Sequence, residues 1–581
     1  MAVKGYGRHK GRCGYIESYF KRVLRECRRE EARLREEALA TKLADKQMKD
    51  YWRLTRGKKN MKLAAKINGT TGDEAIAEVW RSKFKAIFNS GHAPINNENL
   101  RHEFHEFDFL TISDMKKSLS SLSVNKAIGA DDIPAEVFRS ATPRLVTFLT
   151  ILVNGFFRHS FIPDVVMKVI LVPLLKNKLK DASLSESYRP IAIATAFSKV
   201  IENVILQKCE QHLTCHDNQF GFKKKHSTDL CIYTLKEAIN YYTRLGSPVF
   251  ICFLDIEKAF DKINHRKLFQ KLIKRKVPMY LVRLLIYWYV SQTFVVKWGN
   301  GFSSPFTISN GIRQGGIISP FLFNVYMDSL SDELLNLGVG CYIRGVCINH
   351  ICFADDMVVL APSAKALQQI LNACTTYAAK YDIKYSVGDK GKSKCMVCWP
   401  QKYSLKFLPV LYLAEIPLEF VNEYEYLGYT VSCDQKDDLE IGKRTRKMYS
   451  SGNMIINKFR NSNNSVKVTM FKTYFSCIYA SVLWNNYKVG SYMKMKIAHN
   501  DIFRYLLNVP RYESASALFV THSVKNLDSL LRYNMISFMN RLKMSTNNII
   551  SAVSGGDCRV HSNIWKQFSI KLGAEDTVLY W

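Results

Sequence analysis

Hydrophobic positions recur in three different patterns along this chain. From Tyr19 to Tyr51 apolar residues are spread thinly among Arg, Lys, Glu and Ala, as in a long charge-studded helix. From about Phe109 to Asp434 helical and strand patterns mix. Phe250–Leu254 is an unbroken apolar run rich in β-formers, and it stops at Asp255. Val346–Leu360 reads as strand, turn and strand, with Asp355 and Asp356 at the turn. From about Asp437 the pattern is mostly helical. Both kinds of element alternate irregularly and without a repeat, which predicts an α+β fold. The shifts in pattern divide the chain into a basic helical region 1–108, a mixed region 109–435 and a basic helical region 436–581.

Composition adds size and sign. The chain has 581 residues and 47% hydrophobic content, enough for a large core in about two to four domains. Lys plus Arg number 83 against 51 Asp plus Glu, a formal net charge of +32. Such a surplus predicts a polyanionic partner, nucleic acid before anionic membrane. The excess is uneven. Between Ile441 and Asn500 there are eleven Lys and Arg residues and no acid, with aromatics from Tyr449 to Tyr492 interleaved. That mixture suits a surface that tracks a phosphate backbone and stacks bases, although many of the aromatics must be core in any fold. RGKKNMK (Arg56 to Lys62) is a second basic cluster, in either a solvated arm or a nucleic-acid-binding one. No apolar run approaches the roughly 18 residues that span a bilayer; Val165–Leu175 comes nearest and is interrupted by Lys168 and Pro173. The basic start MAVKGYGRHKGR has no apolar stretch behind it, and 15 cysteines without a secretion signal read as reduced thiols. The expectation is a nuclear or cytoplasmic protein, not secreted, with no membrane partner.

The chemistry lies in CFADDMVVLAP, Cys352 to Pro362. An ionised carboxylate in apolar surroundings is costly unless a cation or several donors compensate. Asp355 and Asp356 pose that problem, and Asp255 poses it again at the end of its own apolar run. If the two strands are neighbours, three carboxylates converge and raise one another's pKa until cations neutralise them. Hard oxygen ligands with open positions suit Mg²⁺ held together with substrate phosphates, and two such ions serve phosphoryl transfer. Each piece alone also fits an ordinary turn or cap residue.

The order of several blocks decides between these readings. VFICFLDIEKAFDKINH (Val249 to His265), GIRQGGIISPFLFNVYMDSL (Gly311 to Leu330), ICFADDMVVLA (Ile351 to Ala361) and YEYLGYTV (Tyr424 to Val431) resemble successive signature blocks of reverse transcriptases. The FADD form and the spacing resemble the non-LTR, LINE-type retrotransposons. NKAIGADDIPAEVF (Asn125 to Phe138) and YRPIAIATAFSKVIENVI (Tyr188 to Ile205) resemble that group's fingers blocks. The resemblance covers roughly Ser120 to Val431 and, more loosely, the helical C-terminal region. It implies a polymerase right hand of fingers, palm and thumb, with a helical N-terminal arm and a helical C-terminal region. It implies an RNA-directed DNA polymerase acting on an RNA template, a DNA primer and deoxynucleoside triphosphates, with two Mg²⁺ ions or Mn²⁺ in their place.

Site residues follow from the matched positions. The resemblance makes Asp255 and Asp355 metal-binding carboxylates, with Asp356 beside them as the lesser ligand. It makes Phe260 the aromatic gate against a ribose 2′-hydroxyl, where the residue type alone suggests a packing Phe. Gln314, Gly315 and Gly316 match the block that approaches nucleotide and template, with Ile317 where many relatives carry Pro. Arg189 and Lys176 match basic positions facing the triphosphate, and either could instead be a solvated charge. Lys392 matches the general acid to the leaving pyrophosphate, with Lys394 as the alternative. Tyr426, Leu427 and Gly428 match the turn that grips the primer end. Asp132 stands where relatives commonly carry Gly.

Two cysteine-bearing stretches invite a zinc reading and do not support it. Cys209, His212, Cys215 and His216 continue a helical pattern, and Cys395 and Cys398 lie three apart on a strand, facing opposite ways. The endonuclease and RNase H often joined to such polymerases are not expected: about a hundred residues precede the first block, and only six acids follow Glu440. An endonuclease would come from another chain. The rival readings are an inactive, polymerase-derived nucleic-acid-binding protein and a maturase-like RNA-binding protein.

Overall fold

The computed structural model describes residues 3–45, 63–89, 108–176, 181–400, 407–476 and 478–555. The chain forms two compact units. One comprises Met1–Asn60, Lys436–Lys543 and Arg559–Trp581; the other comprises Met61–Gln435 and Met544–Cys558.

The larger unit is built on two four-stranded sheets. In chain order their strands are β1 (Val169–Leu175), β2 (Tyr188–Ala194), β3 (Val249–Leu254), β4 (Phe294–Trp298), β5 (Gly301–Phe302), β6 (His350–Phe353), β7 (Asp356–Ala361) and β8 (Lys394–Cys398). One sheet runs β6-β7-β3-β8 and is antiparallel throughout. The other runs β2-β1-β4-β5, with β1 and β4 parallel. Every residue of β3 is buried, as expected of a central strand read as a continuous apolar run. One face of its sheet carries Phe250, Cys252, Leu254, Met357 and Val359, which pack with Leu330 and Leu334 of the helix Ser319–Asn336 and with Leu367, Ile370 and Leu371 of the helix Ala364–Tyr381.

The sequence reading of one N-terminal region through residue 108 does not match how the chain packs. In the helix Asp73–Phe88, Ile76, Trp80, Phe84 and Phe88 fall on one stripe at four-residue spacing and are buried. They join the core of the second sheet with Val169, Leu171, Phe294 and Trp298. The helix Val3–Ala44 belongs instead to the smaller unit, where Leu39 and Ala40 are buried and Glu37 accepts a hydrogen bond from Asn463 at 2.9 Å. The cluster Arg56 to Lys62 lies outside the described residues.

The smaller unit is helical after residue 437, as the pattern predicts, with long helices at Asp438–Lys458, Asn464–Phe475, Val489–Leu507 and Leu527–Lys543. Its aromatics are mainly core. Phe459, Phe471, Phe475, Trp484, Tyr487 and Tyr492 are buried, while Tyr449 is 40% exposed. The stacking surface expected from the interleaved aromatics therefore shrinks, and the exposed part of the pattern is chiefly its positive charge. No helix among the described residues is long and apolar enough to cross a membrane.

Candidate active site

Three strand ends meet at one edge of the first sheet. Met357 of β7 pairs with Leu254 of β3, so the next register position sets Asp356 opposite Asp255. On the other side Lys394 of β8 pairs with Phe253, and two positions further the same register brings Lys392 opposite Asp255. Across antiparallel strands, directly opposed side chains share a face. The Lys392 ammonium indeed lies 3.5 Å from the Asp255 carboxylate. Lys394 points elsewhere, to Glu419 at 2.5 Å. Of the two lysines that the sequence left open, Lys392 is the one that lies beside Asp255.

The electrostatics follow from this crowding. Burial, then the Asp255 charge, pushes the Asp355 carboxyl above the usual range. Burial and then the neighbouring charges of Asp355 and Asp255 push Asp356 up to about 6, with Lys392 opposing. Among the described residues no group of three His, Cys, Asp or Glu side chains is arranged to hold a metal ion. The donor set at this edge nevertheless fits a divalent cation: hard carboxylate oxygens that penalise one another's charge are what such an ion relieves.

A brace that the sequence reading missed holds the acidic hairpin. Phe353 pairs with Asp356 across a two-residue turn, Ala354–Asp355, with Ala354 at φ 59°. Gln219 accepts from the Ala354 N–H at 2.9 Å and from the Gly221 N–H at 2.8 Å. Its neighbours pair with β6: Phe220 N donates to Cys352 O, and Cys352 N donates to Asn218 O, each at 2.8 Å. Nothing in the spacing or residue types around Asn218–Gln219 marks this role in the sequence.

Of the other predicted residues, Gln314 and Lys176 lie near Asp261 at the end of the turn that follows Asp255, and Arg189 is not brought to the acids. The Phe260 ring stacks on Phe323, centroids 4.9 Å apart, the packing contact that its residue type suggests. The Gln314 amide donates to the buried Asp261 carboxylate at 2.6 Å, and its carbonyl accepts from Ala192 N at 2.9 Å. Gly315 has φ 114°, and a Cβ there would sit 2.9 Å from Ala192 O, so only glycine fits. Lys176 reaches the Glu186 carbonyl at 3.2 Å and also lies near Asp261. Arg189 is exposed on β2, opposite Leu174. Tyr426 is buried, its ring 5.5 Å from Phe253 and its hydroxyl 3.5 Å from the Cys231 sulfur. It supports the sheet from within, and the turn Leu427–Gly428, at φ 50° and 77°, is the part that faces outward. Asp132 has φ 54°, the left-handed region in which glycine is at ease.

Beneath the Gln314 loop lies a buried ion pair. Arg313 and Glu202 are each 1% exposed and directly bonded, and the second Glu202 oxygen accepts from Ile317 N at 2.6 Å. The Arg313 guanidinium also lies 4.8 Å from the Trp288 ring centroid. Glu202 comes from the helix Ala196–Cys209, so the pair ties that helix to the loop.

Residues 175–431 match the family model for reverse transcriptase (RNA-dependent DNA polymerase). They form a reverse transcriptase domain. The relatives that this chain matches include RNA-directed DNA polymerases of transposons and mobile elements. It is 20% identical over 449 residues to a probable RNA-directed DNA polymerase from transposon BS of Drosophila melanogaster, covering 75% of this chain and 48% of that one. It is 26% identical over 375 residues to the RNA-directed DNA polymerase from mobile element jockey of Drosophila funebris, covering 61% and 39%. The chain thus spans less than half the length of these relatives. Among solved structures, apo telomerase from Candida tropicalis aligns with a TM-score of 0.33 at 9% identity, covering 47% of this chain and 55% of that one. The reverse transcriptase match begins at 175, so it leaves out the helix Asp73–Phe88 that completes the second sheet's core.

Zinc-like ligand types stand apart from this site. His216 bonds Asp332 at 2.7 Å, and His212 faces the Arg275 carbonyl at 3.1 Å. Cys209, Cys395 and Cys398 are buried free thiols.

Proposed function

We propose that this chain is an RNA-directed DNA polymerase of a non-LTR retrotransposon. The observation that carries the reading is the meeting of Asp255, Asp355 and Asp356 at one sheet edge within a reverse transcriptase domain. In a right-hand reading the β6-β7-β3-β8 sheet is the palm, the β2-β1-β4-β5 sheet with its helices belongs to the fingers, and the basic helices after 436 are the thumb. Asp255 and Asp355 would hold two Mg²⁺ ions, or Mn²⁺, with Asp356 as the lesser ligand. Bound there, the ions would neutralise phosphate charge and favour ionisation of the primer hydroxyl.

The chain's own residues do the rest. The primer 3′-oxygen bonds the α-phosphorus of a deoxynucleotide as the α–β bridge to pyrophosphate breaks. Lys392, 3.5 Å from Asp255, would give a proton to the leaving pyrophosphate. Phe260, fixed by its stack on Phe323, would collide with a ribose 2′-hydroxyl. Gln314 and Gly315 let the backbone approach the base pair, with Lys176 and Arg189 toward the triphosphate. Leu427 and Gly428 face the primer end. The positive surface of the helices Asp438–Lys458 and Val489–Leu507 suits the phosphates of template and primer. A nuclear or cytoplasmic location, and an endonuclease supplied by a partner, belong to the same reading.

The test is extension of a DNA primer on an RNA template by the purified protein. Asp355→Asn is expected to abolish extension while leaving template binding intact. Extension equal to wild type would sink the metal assignment. Template binding without any extension by wild type would favour a binding protein instead.

A further inference from the structure

The turn that begins at Asp255 ends in a second charged cluster. Asp261 lies buried at its far end, held by Gln314 at 2.6 Å. Lys258, Lys176 and Lys262 all lie within electrostatic reach of it. A further ammonium enters from outside the reverse transcriptase match. Lys83, on the helix Asp73–Phe88, donates to the Ser185 hydroxyl at 2.8 Å. Lys176 donates to the carbonyl of the next residue, Glu186, at 3.2 Å. Two lysines from distant parts of the chain therefore converge on the short turn Ser185–Ser187.

The convergence is built rather than incidental. Asn68 receives the Ser185 N–H at 3.1 Å and donates to the Ser185 hydroxyl at 2.9 Å. The Lys83 ammonium lies 5.8 Å from the ring centroid of Trp80, itself fully buried. Burial holds the Lys83 pKa below the usual lysine range, Glu186 opposes that shift, and Lys258 and Lys176 add to it. The available acids do not balance the group. Glu257 is taken by Lys262 at 3.9 Å and Lys384 at 3.7 Å. Among the described residues, neither Lys83 nor Lys258 meets a carboxylate within ion-pair distance. Around this turn Lys83, Lys176, Lys258 and Lys262 outnumber the carboxylates of Asp261, Glu186 and Glu257, with Lys83 partly buried and Lys176 and Lys258 open to solvent, and such a positive excess suits a multiply charged anionic ligand.

We propose that Lys83 binds the triphosphate of the incoming nucleotide, together with Lys176 and Lys258. This rests on the polymerase reading of the carboxylate edge, because the cluster and the carboxylates occupy the two ends of one turn, with Phe260 between them. A helix outside the recognised domain thereby supplies a contact to the substrate.

Single-nucleotide incorporation tests it with the full chain. Lys83→Gln can still hydrogen-bond Ser185 but carries no charge; it is expected to raise the nucleotide KM about tenfold or more, with kcat and primer affinity changed far less. Lys83→Arg is expected to restore most of the loss. A second measurement uses unaltered protein. Acylation of Lys83 by an amine-reactive ester, read by mass spectrometry, is expected to slow several-fold with a deoxynucleoside triphosphate or inorganic tripolyphosphate and not with a nucleoside. If wild type extends primers but the Lys83→Gln KM is unchanged, or triphosphate leaves Lys83 acylation unchanged, the lysine only supports the turn and the proposal falls alone. If wild type extends no primer, the polymerase reading falls and takes this proposal with it.

Discussion

The buried pair of Arg313 and Glu202 should be the most sensitive point of the nucleotide-approach loop. Truncating Glu202 to Ala leaves a guanidinium that is 1% exposed without its counter-charge. Breaking such a pair costs about 3–5 kcal/mol. It also removes the acceptor of the Ile317 N–H, held at 2.6 Å, which adds roughly 1–3 kcal/mol if the group stays dry. Relaxation and entering water overlap the two terms, so we expect about 4–6 kcal/mol for Glu202→Ala. That is much of the roughly 5–15 kcal/mol by which a domain is stable. Glu202→Gln keeps one acceptor oxygen, for Arg313 or for Ile317 but not for both at their separate oxygens, and should cost somewhat less than the alanine. Removing both charges, as Glu202→Leu with Arg313→Met, should cost clearly less than the sum of the single changes. Urea unfolding of the four proteins gives the energies, and hydrogen exchange at Ile317 gives the local effect. A Glu202→Ala protein within 1 kcal/mol of wild type, with Ile317 still protected, would refute the reasoning.

Three further expectations are direct. Lys271 is buried among Tyr326, Tyr377 and Tyr381, and burial lowers its pKa to about 7. The unfolded chain then holds more protons between pH 7 and about 10, so stability should rise with pH across that window, by at most about 1.4 kcal/mol per unit, and Lys271→Met should flatten the slope. Gly315→Ala forces a side chain into φ 114° and onto Ala192 O; a stability loss of about 1–3 kcal/mol with a larger loss of nucleotide incorporation is expected. Phe260→Val removes the ring stacked on Phe323; incorporation of ribonucleotides relative to deoxynucleotides should rise, and an unchanged ratio would leave Phe260 a packing residue.

The strands that carry the acids were legible because their signal is local. Five apolar residues before Asp255 and a hairpin pattern around Asp355 need no knowledge of the rest of the chain. That β7 lies beside β3, so that the acids meet, is a pairing across about a hundred residues, and only the order of family blocks pointed to it. Gln219 was illegible for the opposite reason. Its role depends on where the backbone of Ala354 passes, and a polar residue in a loop carries no mark of that. Lys83 was read as part of a general basic region, since nothing in the spacing of its helix reveals Ser185. The aromatics after 441 show how far composition reaches. That many of them must be core was legible, but which ones was not, because that depends on how the helices pack on one another.

The chain leaves the sheet-bearing unit at Gln435 and returns to it at Met544. The returning segment is not ornamental. Asn547 is 1% exposed and donates to the Asp217 carbonyl at 2.8 Å, two residues before the glutamine that clamps the acidic hairpin. The short helix Asn548–Ser554 that follows buries Ile549 and Ile550 in the same unit. A fragment cut where the domain match ends, at 431, would look complete by sequence and yet lack a wall. The smallest self-sufficient version of this fold is therefore discontinuous: the intervening helices would have to be excised and the two ends rejoined, because simple truncation removes the last piece of the core along with them.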